Sequence, residues 1–129
     1  MVQTEENKMN KMNKRIKKLW IDALRSGDYK QTDGQLRDAN GFCCLGVLCN
    51  IHAQEHPEIA SNQTDPEKYL GSSGFLPKEV VEWAGLDDVA IKESYSEWSI
   101  YYDDCSSLHE ENDEGTSFLD ISDIIEEHL

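Results

Sequence analysis

The chain has no apolar run approaching the roughly 18 residues that cross a bilayer as a helix. Its first residues also lack the charged, apolar, small-residue order of a secretory signal. Together these absences exclude a helical membrane protein and set the expectation of a soluble protein of the cytoplasm. Positive charge is scarce: 12 Lys and Arg stand against 26 Asp and Glu, a formal net charge of -14. A small soluble domain ordinarily carries about 2 to 8 charges, and an excess of this sign repels a phosphate backbone, so direct nucleic-acid binding is not expected. No Walker loop, dinucleotide-binding glycine motif or G-x-S-x-G elbow is present. A disulfide framework is missing too, because Cys43, Cys44 and Cys49 crowd into one short stretch and two of them are adjacent. That spacing speaks for reduced thiols.

What is present suffices for one folded unit. A chain of 129 residues buries a single core without disulfides or metal, and its aromatic and β-branched content argues against disorder despite the charge. Residues 1–7 are expected to be disordered and 8–129 to form one globular domain. The organising stretch is residues 41–52, Gly-Phe-Cys-Cys-Leu-Gly-Val-Leu-Cys-Asn-Ile-His, apolar in nearly every direction. It is too long for a strand and predicts a central helix from Phe42 to about Glu55, stopped by Pro57. If buried, Phe42, Leu45, Val47, Leu48 and Ile51 contribute roughly 1.5 to 3 kcal/mol each.

Around it, Met9, Met12, Ile16, Leu19, Trp20, Ala23 and Leu24 recur at helical spacing and predict an amphipathic helix closed at Ser26-Gly27. Tyr29–Gln31 and Gln35–Arg37 flank Thr32-Asp33-Gly34, a tight-hairpin signal, after which Asp38 or Asn40 can cap the central helix. Residues 57–75 read as a long surface loop, either functional or containing a short strand at Tyr69-Leu70. Pro77 and Gly85 bracket a short helix over Lys78–Ala84. Val89, Ile91, Trp98, Ile100 and Tyr102 alternate as in one or two strands. A helical turn at 105–111 and a capped last helix with Phe118, Ile121, Ile124, Ile125 and Leu129 on one face complete the chain. The predicted class is α+β: a single small helix-dominated domain with a central buried helix and one or two short β-hairpins.

Charge is polarised along the chain. Residues 1–30 hold eight of the twelve basic residues, and from Asp87 onward fourteen acidic residues face only Lys92. Either the basic first helix packs near the acidic last helix, or the acidic end faces a basic partner.

Three blocks carry a resemblance. They are Trp20-x-x-Ala23-Leu24-x-Ser26-Gly27-x-Tyr29-x-Gln31 with Gly34-x-Leu36 and Phe42-Cys43-Cys44-Leu45-Gly46-Val47-Leu48-Cys49; Pro77 with Glu79-Val80 and Glu82-Trp83-x-Gly85-Leu86; and Asn112-Asp113-x-Gly115-x-Ser117-Phe118. Together they resemble a family of small uncharacterised proteins of tailed phages and prophages. The resemblance implies a phage origin and residence in the host cytoplasm, and it implies no activity, cofactor or ligand. The acidic 87–111 segment departs from the compact spacing of that family.

Several constellations invite chemistry. His52-Ala53-Gln54-Glu55-His56 matches H-x-x-E-H formally, yet a zinc protease also needs a third ligand and a cleft. Cys49 shares a helical face with both histidines, while Cys43 and Cys44 point elsewhere, so the favoured reading is core thiols with surface histidines at a helix end, and no metal or cofactor. Cys43 or Cys44 in a first helical turn, with His109 as base, is the arrangement of a cysteine-dependent hydrolase, the third reading of function. The expected site is instead Tyr29, Lys30, Gln31 and Arg37 on the hairpin, with the acidic Asp103, Asp104, Glu110, Glu111 and Asp113. The favoured function is a non-enzymatic phage accessory protein that binds and modulates a host protein with a basic surface. The alternative is a small-molecule binding protein that sequesters a nucleotide signal in counter-defence, using Lys30 and Arg37 as a local basic pocket.

Overall fold

A computed structural model describes residues 12–61, 68–72, 74–86, 90–94, 97–100 and 107–129, without the side chains of residues 60 and 90–99. The expected disorder of residues 1–7 and the positions Met9, Val89, Tyr102, Asp103 and Asp104 lie outside the described residues. Helix α1 spans Lys14–Ser26, strands β1 Arg37–Asp38 and β2 Gly41–Phe42, and α2 Cys44–Glu55. There follow α3 Pro57–Ser61, α4 Lys78–Ala84, β3 Ala90–Ser94, β4 Glu97–Ile100, α5 Leu108–Asp113 and α6 Phe118–His128. The fold is therefore a small, helix-dominated α+β domain with two antiparallel two-stranded ribbons.

Helix α2 is central because its residues are apolar on every side. Cys44 through Cys49, Ile51 and His52 are all buried, and α1, α4 and α5 pack around them. Two close approaches fix its position. The indole Nε1 of Trp20 donates to the Cys44 carbonyl at 3.0 Å, so a wholly buried indole keeps its hydrogen bond. A Cβ at Gly46 would sit 1.7 Å from the Leu36 carbonyl oxygen, so only glycine lets that backbone lie against the helix.

Helix α1 ends as its sequence predicts, with Gly27 left-handed at φ 82°, and buries Ile16, Trp20, Ile21 and Leu24 along one stripe. Met12 joins the core. Helix α4 is closed by left-handed Gly85, and α6 is capped by Ser117, whose hydroxyl accepts from Asp120 N at 3.1 Å.

The hairpin forms at another place than Thr32-Asp33-Gly34 suggests. The paired strands are β1 and β2, in the register Arg37 with Phe42 and Asp38 with Gly41, and Gln31 bridges the other edge of Phe42 in parallel. The turn at 39–40 is set by Asp38, whose Oδ1 accepts from Asn40 N at 2.7 Å and Gly41 N at 3.1 Å, as aspartate does in turns. Asp38 is thus engaged in the turn and does not cap α2; the residue at the cap position is Cys43, which gives no side-chain cap. Within 57–75, Tyr69 pairs with Ser72 as an isolated antiparallel bridge, and Pro57 opens α3 after ending α2.

Candidate partner-binding surface

The missing cap of α2 comes from 68 residues away, and it explains two of the resemblance blocks at once. Asn112 on α5 is buried, and its Oδ1 accepts from Cys44 N at 3.1 Å and from Gln31 Nε2 at 3.0 Å. Its Nδ2 donates to the Thr32 carbonyl at 2.7 Å. Gln31 Nε2 donates also to the Thr116 carbonyl at 2.7 Å. A single carboxamide therefore satisfies the N-terminus of α2, holds the segment before β1 and pins the α5–α6 turn. Gln31, expected at a ligand site, is engaged in this internal network.

The other residues expected at the hairpin part company. The Tyr29 hydroxyl accepts from Asn50 Nδ2 at 2.6 Å, and its ring meets Phe42 edge to face at 5.1 Å. One side of Tyr29 thus faces the core, and the other lines a groove of about 350 Å³ between α1 and α2 with Leu19, Ala23, Ile51, Asp22, Asp28 and Glu55 among its walls. Lys30 is exposed, and its carbonyl accepts from Phe42 N at 2.8 Å. Arg37 lies over the Tyr69 ring, 6.0 Å from its centroid, and donates from Nη2 to the Lys68 carbonyl at 3.2 Å.

Cys43 and His109 do line one small pocket of about 130 Å³ together with Gln35, Phe75 and Asp113, bringing the expected nucleophile and base to one place. The thiol chemistry runs the other way. Burial, aided by Asp113, pushes Cys43 up to about 11 against the pull of the helix N–H groups, so the thiol is protonated at neutral pH. Burial raises Cys44 and Cys49 as well.

Of the histidines expected at a surface helix end, His52 is buried in the core and His56 only partly covered. His52 is buried at 3 % exposure; its Nδ1 lies 2.6 Å from the Tyr69 hydroxyl, and its ring stacks on His56 at 4.1 Å. Burial first and His56 second lower His52 to about 4, while burial lifts Tyr69 to about 12. Both are neutral near pH 7, so the hydrogen bond joins two uncharged groups, with its direction set by the His52 tautomer. Among the described residues no group of three His, Cys, Asp or Glu is arranged to hold a metal ion.

The acidic end divides into carboxylates engaged inside the fold and carboxylates facing solvent. Glu110 completes a capping box with Ser107, Glu111 accepts from Thr116 Oγ1 at 2.7 Å, and Asp113 Oδ1 accepts from Gly34 N at 3.0 Å. On α6, Asp123 and Glu126 meet Arg25 at 2.7 and 3.1 Å, and Arg25 Nε reaches Ser122 Oγ at 2.8 Å. The basic first helix therefore does pack on the acidic last helix. Among the described residues, Glu114, Asp120 and Glu127 carry no ion pair and are exposed. Leu119 lies next to Asp120 and is 59 % exposed. It is the residue that the sequence reading missed, and the signal was available. At 100° per residue it falls off the stripe of Phe118, Ile121 and Ile125.

The fold and this surface define a small α+β domain whose polar motif residues are largely structural and whose outward face is acidic with an apolar point. Residues 12–129 match the family model described as a domain of unknown function, DUF8296, and the chain belongs to that family. No curated protein and no solved structure matches the chain. Among the described residues no helix is long and apolar enough to cross a membrane.

Proposed function

We propose that the protein is a non-enzymatic binding module that docks on, and modulates, another protein with a basic surface; in the phage setting that the resemblance implies, the partner is a protein of the host cytoplasm. The observation that carries this reading is Leu119, 59 % exposed beside Asp120, with Glu127 two turns further along α6. An exposed leucine on a helix that also presents free carboxylates offers an apolar anchor within a field that attracts a cationic patch. Burial of Cys43, which raises its thiol pKa, counts against the hydrolase reading, and the engagement of Arg37 with Tyr69 and the Lys68 carbonyl counts against its service in a basic pocket for a nucleotide.

The test is affinity capture from host lysate on immobilised wild-type protein and on the Leu119→Ser/Asp120→Lys/Glu127→Lys variant side by side. The proposal expects a protein retained by the wild type, released by salt and lost on the variant. Identical captured sets on both would sink it.

A further inference from the structure

We infer that the groove between α1 and α2 is a seat for a lysine or arginine side chain of a protein partner, the aliphatic stem lying on the groove floor and the cationic head at its rim. The inference deepens the proposed function and rests on it for the partner's class, but on different residues.

The groove holds about 350 Å³, a volume suited to one long side chain and its neighbour. Its floor is apolar. Ile51 is buried, Ala23 is half-buried and Leu19, at the edge of the apolar stripe of α1, remains 38 % exposed. Its rim carries Asp22, Asp28 and Glu55, and no Lys or Arg lines it. Asp22 and Glu55 are answered within the fold, by Lys18 at 2.8 Å and by both terminal guanidinium nitrogens of Arg15. Among the described residues Asp28 has no ion pair, and its backbone N is held by Ser26 Oγ at 3.0 Å, which fixes where the carboxylate begins.

Tyr29 supplies the end wall. Its hydroxyl is engaged by Asn50 and one edge contact by Phe42, so the ring is held in place before any ligand arrives. A fixed aromatic wall beside a carboxylate suits a guanidinium or ammonium head, while the floor suits methylenes. A neutral apolar occupant would leave the Asp28 carboxylate without a counter-charge, and an anion would be repelled by it.

The experiment is a two-dimensional NMR titration of the full chain with a short peptide of alternating leucine and arginine, against the same peptide with citrulline in place of arginine. The inference expects saturable shifts at Leu19, Ala23, Tyr29, Ile51 and Gln54, and binding weakened about fivefold by citrulline or by Asp28→Lys, the size of one exposed charge contact. Shifts confined to Leu119 and its neighbours would overturn the groove and leave the proposed function standing. Equal binding of both peptides in the groove, or no saturable shift there, would overturn the inference as well.

Discussion

Helix α1 faces α6 on one flank and α2 on the other, and the two flanks dispose of charge in opposite ways. Toward α6 the cations of α1 line a groove of about 410 Å³ with Lys14, Lys17, Lys18 and Arg25. There Arg25 binds Asp123 and Glu126, and Lys17 Nζ reaches the Glu126 carbonyl at 3.2 Å. Toward α2 the lining is apolar with an acidic rim. A chain of net charge -14 thus uses Lys17 and Arg25 to join its first helix to its last. Among the described residues, Asp28 on the α2 flank and Asp120 and Glu127 on α6 are carboxylates left without an ion pair, and they are those that the proposed cationic partner would meet.

The largest effect should come from breaking what holds the α2 flank together. Asn112→Ala removes the acceptor for Cys44 N and Gln31 and the donor to Thr32. It should lower stability by on the order of 3 kcal/mol in chemical denaturation, and a loss below about 1 kcal/mol would show that the network is dispensable. Next comes pH. Burial holds His52 at about 4 in the fold, below the ordinary histidine value of 6.5, so between those values the unfolded chain binds a proton that the folded chain refuses. Stability therefore falls as pH drops from about 6.5 toward 4, by roughly 2 to 3 kcal/mol for this residue. Denaturant melts of wild type and His52→Gln across that window measure it, and parallel pH profiles would contradict it.

The α6 flank should respond more weakly in stability and more visibly in binding. Leu119→Ser should leave stability within about 0.5 kcal/mol while weakening the partner roughly tenfold, as loss of an interface anchor does. A melt and a binding isotherm on one sample separate the two. Arg25→Ala should show the smallest change: a slight stability loss that vanishes in high salt, with partner affinity raised about twofold as Asp123 and Glu126 are freed. Weaker binding in that variant would mean that the seam positions the surface and does not merely mask it.

Much of this fold was legible from local patterns. Apolar spacing and terminal glycines mark α1 and α4, the unbroken run marks α2, and Ser117 with its apolar stripe marks α6, because these signals sit within one element. The hairpin was legible in kind but not in place. Asp33-Gly34 carries the stronger turn signal, and Gly34 does adopt φ 84°, yet it serves a loop tied to Asp113 while Asp38 sets the real turn. Asn112 as cap of α2 and Tyr69 as partner of His52 were beyond reach of spacing, since each contact joins residues remote in sequence. The surface was half legible: the acidic excess was plain, but which carboxylates are engaged depends on Arg25, Arg15 and Gly34 arriving beside them. Leu19 read as core because it sits at the edge of the apolar stripe, where a helix pattern cannot tell floor from rim.

The most direct test of the acidic docking surface is the salt dependence of affinity for the protein captured by the wild type, measured beside Asp120→Lys/Glu127→Lys. The account predicts affinity that falls steadily with added salt for the wild type, with lower affinity and a shallower slope for the variant. A flat salt dependence, identical in both proteins, would contradict it.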